Sequence, residues 1–134
     1  MQDLARKEGK LSKERDQRLS KLRQRLEAII GHHPDFSLLH GDLWGGNWLM
    51  TDEGPYLIDP AVYYGDREID IAFTYLFGGY SKAFYDQYQT EFPLEKEFTD
   101  RLPIYQLYYL LVHLILFGES YGSAVDRILQ KYTF

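Results

Sequence analysis

His40-Gly41-Asp42-Leu43-Trp44-Gly45-Gly46-Asn47, followed by Ile58-Asp59-Pro60, is the stretch that decides how this sequence is read. Asn47 stands five residues after Asp42, and Asp59 stands twelve residues after Asn47. Phosphoryl transfer needs such a set. One Asp takes the proton of the acceptor hydroxyl, an Asn on the same loop offers an oxygen to a divalent cation, and a second Asp holds the cation that bridges the nucleotide phosphates. The sequence in between supplies the device that returns the second Asp to the first. Trp48-Leu49-Met50 and Tyr56-Leu57-Ile58 are short apolar runs, and Thr51-Asp52-Glu53-Gly54-Pro55 between them is turn chemistry for a small hairpin. Singly, each of the three is an ordinary loop or strand-end residue. Jointly they bring three oxygen donors for a hard cation to one place.

The elements around this unit read mostly as helices. Ser12 caps a helix whose Leu19, Leu22, Leu26, Ile29 and Ile30 recur on one face and which ends near Gly31. Phe36 to Leu39 is an apolar run entering a buried strand. Asp66 caps a helix to about Phe77, stopped by Gly78-Gly79, and Ser81 starts another over 82–91, closed by Pro93. From Glu95 a helix continues to Gly118, with Pro103 either at a kink or at a fresh first turn, and it is apolar nearly all round. A last short helix covers Ser123 to Lys131.

Composition narrows the function classes. With 134 residues, the chain is expected to form one compact domain over 1–134, and 45% hydrophobic with 16% aromatic content is too rich for disorder. There is no cysteine, hence no disulfide framework and no thiol chemistry. No apolar signal core lies within Met1 to Arg25, so a cytoplasmic location is expected. Leu102 to Gly118 is uncharged but contains Pro103, Gln106 and His113, and reads as a buried helix rather than a membrane span. Met1 to Glu27 carry nine Lys/Arg against five Asp/Glu, and the rest of the chain carries six against fifteen. The basic N-terminal arm, residues 1–18, interleaves its charges with acids at helical spacing and has no aromatics, so no nucleic acid partner is expected. The acidic remainder repels phosphate unless a metal intervenes.

Beyond these physical readings, the sequence resembles the fructosamine kinase (ketosamine kinase) family, within the aminoglycoside phosphotransferase-like group of protein-kinase-like enzymes. The resemblance is carried by Leu38 to Asn47, by Leu57-Ile58-Asp59-Pro60-Ala61-Val62-Tyr63-Tyr64-Gly65, by Arg67-Glu68-Ile69-Asp70-Ile71-Ala72, by Leu76-Phe77-Gly78-Gly79 and by Tyr105-Gln106-Leu107-Tyr108. It begins at about Leu19, so 19–134 is the matched part. Gly45 stands where the resemblance leads one to expect Ser or Ala.

That resemblance implies a mainly α (α+β) chain, the C-terminal helical lobe of a protein-kinase-like fold, with a small β-hairpin carrying the catalytic and metal loops. The N-terminal lobe, with its phosphate-covering loop and strand Lys, is expected to be absent, since no such segment precedes Leu38. The implied activity is ATP-dependent phosphorylation of a sugar hydroxyl on a glycated amine, a deglycation step, with the lobe inactive alone. Its cofactors would be ATP and Mg2+, and its partner a ketosamine small molecule or a glycated protein lysine. Asp42 would be the catalytic base and Asn47 and Asp59 the metal ligands. His40 and Asp70 would be structural supports, Asp70 by accepting hydrogen bonds from catalytic-loop N–H groups. Trp44 either stacks on the substrate, where a cation–π contact suits a protonated amine, or packs as core. Trp48 reads as core, and His113 as a hydrogen-bonded core residue.

Two other readings stand beside this one. A truncated, non-catalytic module would expose apolar surface around Leu38, Trp48 and the N-terminal helix, and would form a homodimer or bind a partner such as the missing lobe. A related small-molecule kinase of aminoglycoside or choline type would keep the chemistry and change the acceptor, which the Asp-Pro-Ala-Val-Tyr-Tyr run disfavours.

Overall fold

The computed structural model describes residues 1–133, and these form two compact units: Met1–His32 together with the chain from Gln106 onward, and His33–Tyr105.

In the first unit, α1 (Gln2–Lys7) and α2 (Lys13–Ile30) are joined by a tight connection through Gly9. Ser12 caps α2 by accepting from the Arg15 N–H, and Gly31 ends it in the left-handed conformation, both as the sequence signals. The basic arm is therefore folded rather than extended. The buried Gln2 donates to the Asp16 carbonyl, the Asp16 carboxylate and Ser20 Oγ, and Ala5 is fully buried. Along α2 the buried face holds Leu19 and Leu22 but also Arg15, while Leu26, Ile29 and Ile30 are only half-buried. Arg15 is inside because it is answered twice. It donates to Asp126 at 2.8 Å and to Glu119 at 2.8 and 3.2 Å, fastening α2 to the short 3-10 turn Glu119–Tyr121 and to α6 (Gly122–Tyr132).

The long helix α5 (Phe98–Phe117) runs uninterrupted past Pro103, which sits inside it and not at a new first turn. Proline lacks the N–H that would reach the carbonyl four residues back, so one helical bond is lost there. No helix among the described residues is long and apolar enough to cross a membrane. His113 is half-buried, its Nδ1 2.7 Å from the Tyr109 carbonyl, between the rings of Phe117 and Tyr121.

The second unit is built on two nested strand pairs. The hairpin strands β2 (Trp48–Thr51) and β3 (Gly54–Leu57) pair antiparallel, Trp48 opposite Leu57. Outside them β1 (Ser37–Leu39) pairs antiparallel with β4 (Tyr63–Gly65), Leu39 opposite Tyr63. The sequence signals the hairpin and β1; β4 carries no such signal. Two helices follow: α3 (Arg67–Leu76), capped by Asp66, and α4 (Lys82–Glu91), capped by Ser81. Ile71, Ala72, Phe98 and Tyr105 form the buried cluster, with Ile69, Tyr88, Leu94 and Leu102 packed on it. A buried ion pair ties α3 to the start of α5: Arg101 donates to the two oxygens of Glu68 at 2.8 and 2.6 Å, and the Tyr105 hydroxyl lies 2.8 Å from Glu68.

Candidate active site

Nested pairing places two loops side by side. Residues 40–47 connect β1 to β2, and residues 58–62 connect β3 to β4, so both leave the same end of the same small sheets. Direct bonds hold the loops together: Ile58 N–H donates to the Asn47 carbonyl at 3.0 Å, and Ala61 N–H donates to the His40 carbonyl at 2.8 Å. Asp59 is thus the next residue after the backbone partner of Asn47.

Within the first loop, Asn47 is 6% exposed and turns its amide nitrogen onto Asp42, at 2.9 Å from the carbonyl and 3.1 Å from carboxylate Oδ2. The nitrogen is spent on Asp42, so the amide oxygen is the atom Asn47 presents to anything else. His40 lies under the loop. Its Nε2 is 2.8 Å from the Ile58 carbonyl, and its Nδ1 accepts from the Asp42 N–H at 3.2 Å. A carbonyl only accepts, so the neutral ring carries its hydrogen on Nε2. Asp70, buried in the first turn of α3, accepts from the His40 N–H at 2.7 Å and the Gly41 N–H at 3.0 Å, one with each oxygen. It thereby satisfies two donors that the departing loop would otherwise bury.

Glycine is required at Gly41. Its φ is +85°, and a Cβ there would lie 1.9 Å from the Ala61 carbonyl oxygen, so the two loops cross in backbone contact. Asp59 itself has φ +48°, a left-handed conformation that Asp tolerates better than most residues, and its side chain is exposed. Trp44 is 42% exposed and its ring covers Gly46, where a Cβ would meet it at 2.2 Å. Trp48, read from sequence as core, is half-buried: it lines an open apolar cavity of about 320 Å³ with Leu57, Tyr80 and Phe84, and donates from Nε1 to the Gly79 carbonyl at 3.2 Å.

One residue of this site has no motif to announce it. The Tyr80 hydroxyl donates to the Leu43 carbonyl at 3.2 Å, and burial, with smaller contributions from Tyr85 and Asp70, pushes its phenol up to about 12. The Gly78-Gly79 pair before it was the available signal, a double glycine that allows close backbone approach.

Two carboxylates and an amide oxygen on adjoining loops are the donor chemistry a small hard cation such as Mg2+ prefers. A family model for fructosamine kinase matches residues 1–133. The chain belongs to the fructosamine kinase family. The match takes in the first eighteen residues as well as the part from Leu19. Among fructosamine kinase relatives, the chain is 52% identical over 132 residues to the "Probable ketoamine kinase" of Lactiplantibacillus plantarum, covering 97% of this chain and 47% of that one. It is 62% identical over 96 residues to a "Probable ketoamine kinase" of Enterococcus faecium, covering 71% of this chain and 35% of that one. A crystal structure titled as a "putative fructosamine-3-kinase" from Thermobifida fusca superposes with a TM-score of 0.89 at 35% identity, over 96% of this chain and 45% of that one. This chain therefore spans less than half the length of these relatives, and its mainly helical fold with small antiparallel pairs matches the Thermobifida fusca structure.

Proposed function

We propose that this chain carries the acceptor-activating and metal-holding part of an ATP-dependent ketosamine kinase. In this reading Asp42 takes the proton of a sugar hydroxyl on a glycated amine. The hydroxyl oxygen bonds to the γ-phosphorus of ATP while the bond from that phosphorus to the β–γ bridging oxygen breaks, and ADP leaves. Asn47, through Oδ1, and Asp59 would hold Mg2+, which when bound supplies neutralisation of the phosphate charge. His40 and Asp70 fix the loop that carries the base, and Trp44 offers an exposed ring face to a protonated amine. The acceptor would be a small ketosamine or a glycated lysine.

The observation that carries this reading is the clamp of Asn47 on Asp42 beside the residue preceding Asp59: base and ligands lie on loops bonded to each other. The test is a phosphoryl-transfer assay with ATP and a fructosamine, run on the intact gene product and on its Asp42→Ala variant. Transfer that disappears in the variant supports the assignment. Undiminished turnover in Asp42→Ala overturns it.

One set of exposed residues supports a second reading, in which the chain acts by association. Leu49, Met50, Tyr56 and Leu57 are exposed on both faces of the hairpin, and Leu38 and Tyr64 are exposed on the outer pair. An isolated two-stranded pair is marginal in water. Sedimentation at rising concentration tests it: a dimer supports self-association, and a monomer at high concentration removes it.

A further inference from the structure

The peptide groups around Asp42 are committed on both sides. Its own N–H donates to His40 Nδ1 and its carbonyl accepts from Asn47. Before it, the Gly41 N–H donates to Asp70; after it, the Leu43 carbonyl accepts from Tyr80. Asp70 lies in the first turn of α3, and Tyr80 lies just past its end, on the turn that leads to α4.

That turn is pressed against the catalytic loop. A Cβ on Gly45 would meet the Gly78 carbonyl oxygen at 2.5 Å, and one on Gly79 would meet Gly45 Cα at 2.8 Å. Glycine at 45, in place of the Ser or Ala that the resemblance suggests, is what permits so close an approach. Trp48 ties the turn to β2 through the Gly79 carbonyl, immediately after Asn47. The Tyr80 ring is in turn held by Phe84, with centroids 4.6 Å apart, and flanked by Trp48 at 6.3 Å.

We propose that Tyr80 is a positioning residue for Asp42: carried on the Gly78-Gly79 turn, its hydroxyl holds the Leu43 carbonyl and fixes the flank of the base opposite the one held by Asp70. The base assignment rests on the phosphotransfer reading; the positioning is a property of the loop itself. A phenol keeps its hydrogen throughout the neutral range at its ordinary value, and burial here pushes that value further up. Trp48 and Phe84 set the ring, the ring holds the peptide between Leu43 and Trp44, and that peptide fixes the backbone of Leu43, the residue next to Asp42. A displacement of 1 Å at a base is enough to lose most of its effect.

The turn contains its own control. Gly78 and Gly79 both have positive φ, +75° and +95°, but a Cβ on Gly78 meets nothing within 4 Å. Gly78→Ala therefore bears a backbone cost like that of Gly79→Ala without touching the catalytic loop. Tyr80→Phe keeps the ring and removes only the hydroxyl. We would follow the backbone amides of Asp42 and Leu43 and the side-chain amide of Asn47 by 15N NMR, with the thermal midpoint alongside. Tyr80→Phe should shift these resonances and speed hydrogen exchange at the Asn47 amide about fivefold, with a midpoint within about 3 °C of the parent. Gly79→Ala should shift the same set, and Gly78→Ala should leave it in place. Spectra of Tyr80→Phe that overlay the parent's at Asp42, Leu43 and Asn47 overturn the proposal, whether or not Gly79→Ala folds. In the phosphoryl-transfer assay Tyr80→Phe should lower kcat about tenfold with KM for ATP unchanged; a rise in KM alone also counts against it. That assay is run on the intact gene product; absence of turnover there, in parent and variant alike, would count against the phosphotransfer reading, and the resonances alone would then decide on Tyr80.

Discussion

Asn47 and Asp42 are joined by one nitrogen that donates twice, to the carbonyl at 2.9 Å and to the carboxylate at 3.1 Å. A single side chain thus orients Asp42, the proposed base, and aims its own oxygen elsewhere. Asn47→Ala removes both and leaves the part-buried Asp42 carbonyl short of a donor. We expect a stability loss of about 1–2 kcal/mol. Phosphoryl transfer should fall about a hundredfold or more, because orientation and metal ligation go together. Denaturant titration beside a turnover assay checks both, and a variant with normal turnover would remove Asn47 from the site.

Mg–ATP should bind this chain weakly. Mg2+ takes one or two protein carboxylates and fills its remaining positions with water and phosphate oxygens. Neither loop of the site, 40–47 or 58–62, contains a Lys or Arg to grip phosphates. Calorimetric titration should give a dissociation constant no tighter than about 1 mM, near −4 kcal/mol. A micromolar constant that vanishes in Asp59→Ala would show that these loops alone suffice for nucleotide binding.

Gly41→Ala and Gly54→Ala separate backbone strain from loop contact. Both positions have positive φ, but around Gly54 there is open space whereas Gly41 abuts the Ala61 carbonyl. Gly54→Ala should cost about 1–2 kcal/mol and leave turnover alone. Gly41→Ala should cost about 3 kcal/mol or more and abolish turnover, since the two loops must part to admit the methyl group. Equal losses in the two variants would contradict this account.

Acid should loosen the first unit through Arg15. Hydrogen bonds from its guanidinium, and then its charge, hold the Asp126 and Glu119 carboxyls below their ordinary values against the opposing effect of burial. A folded value below the unfolded one means stability that is present above about pH 4 and is lost as pH falls through the depressed values. Arg15→Met should cost about 2 kcal/mol at pH 7, discounted for the exposure of both carboxylates. The gap between variant and parent should narrow below pH 4. Thermal midpoints from pH 7 to pH 2 test this, and a constant gap would rule it out.

What the sequence shows and what it hides follow the range of the interactions. Ser12, Gly31, Asp66 and Ser81 are capping residues whose partners lie within four positions, and the helices they bound were legible for that reason. Asp42, Asn47 and Asp59 were legible because a short loop and a hairpin join them. β4 was not, because Tyr63-Tyr64-Gly65 becomes a strand only by pairing with Ser37–Leu39 far back in the chain. Nor was α1, six residues long, which is held by Gln2 on Asp16 and Ser20 rather than by its own propensity. Tyr80 belongs to the same class: its partner Leu43 is 37 residues away, and nothing local marks the hydroxyl.

Nesting one strand pair inside another also sets an order of assembly. Closing β1 onto β4 directly would mean gathering the whole intervening chain, and loop-closure entropy rises with length by about 0.6 kcal/mol per doubling. Once the tight Asp52-Glu53 turn has zipped β2 to β3, only the two short loops remain loose, and the outer pair closes over a much smaller gap. Asp42, Asn47 and Asp59 lie on those last loose segments. They are therefore ordered by the final step of a zipper that starts at the far tip of the hairpin, where a change of turn residues would alter how fast the site appears without altering its geometry.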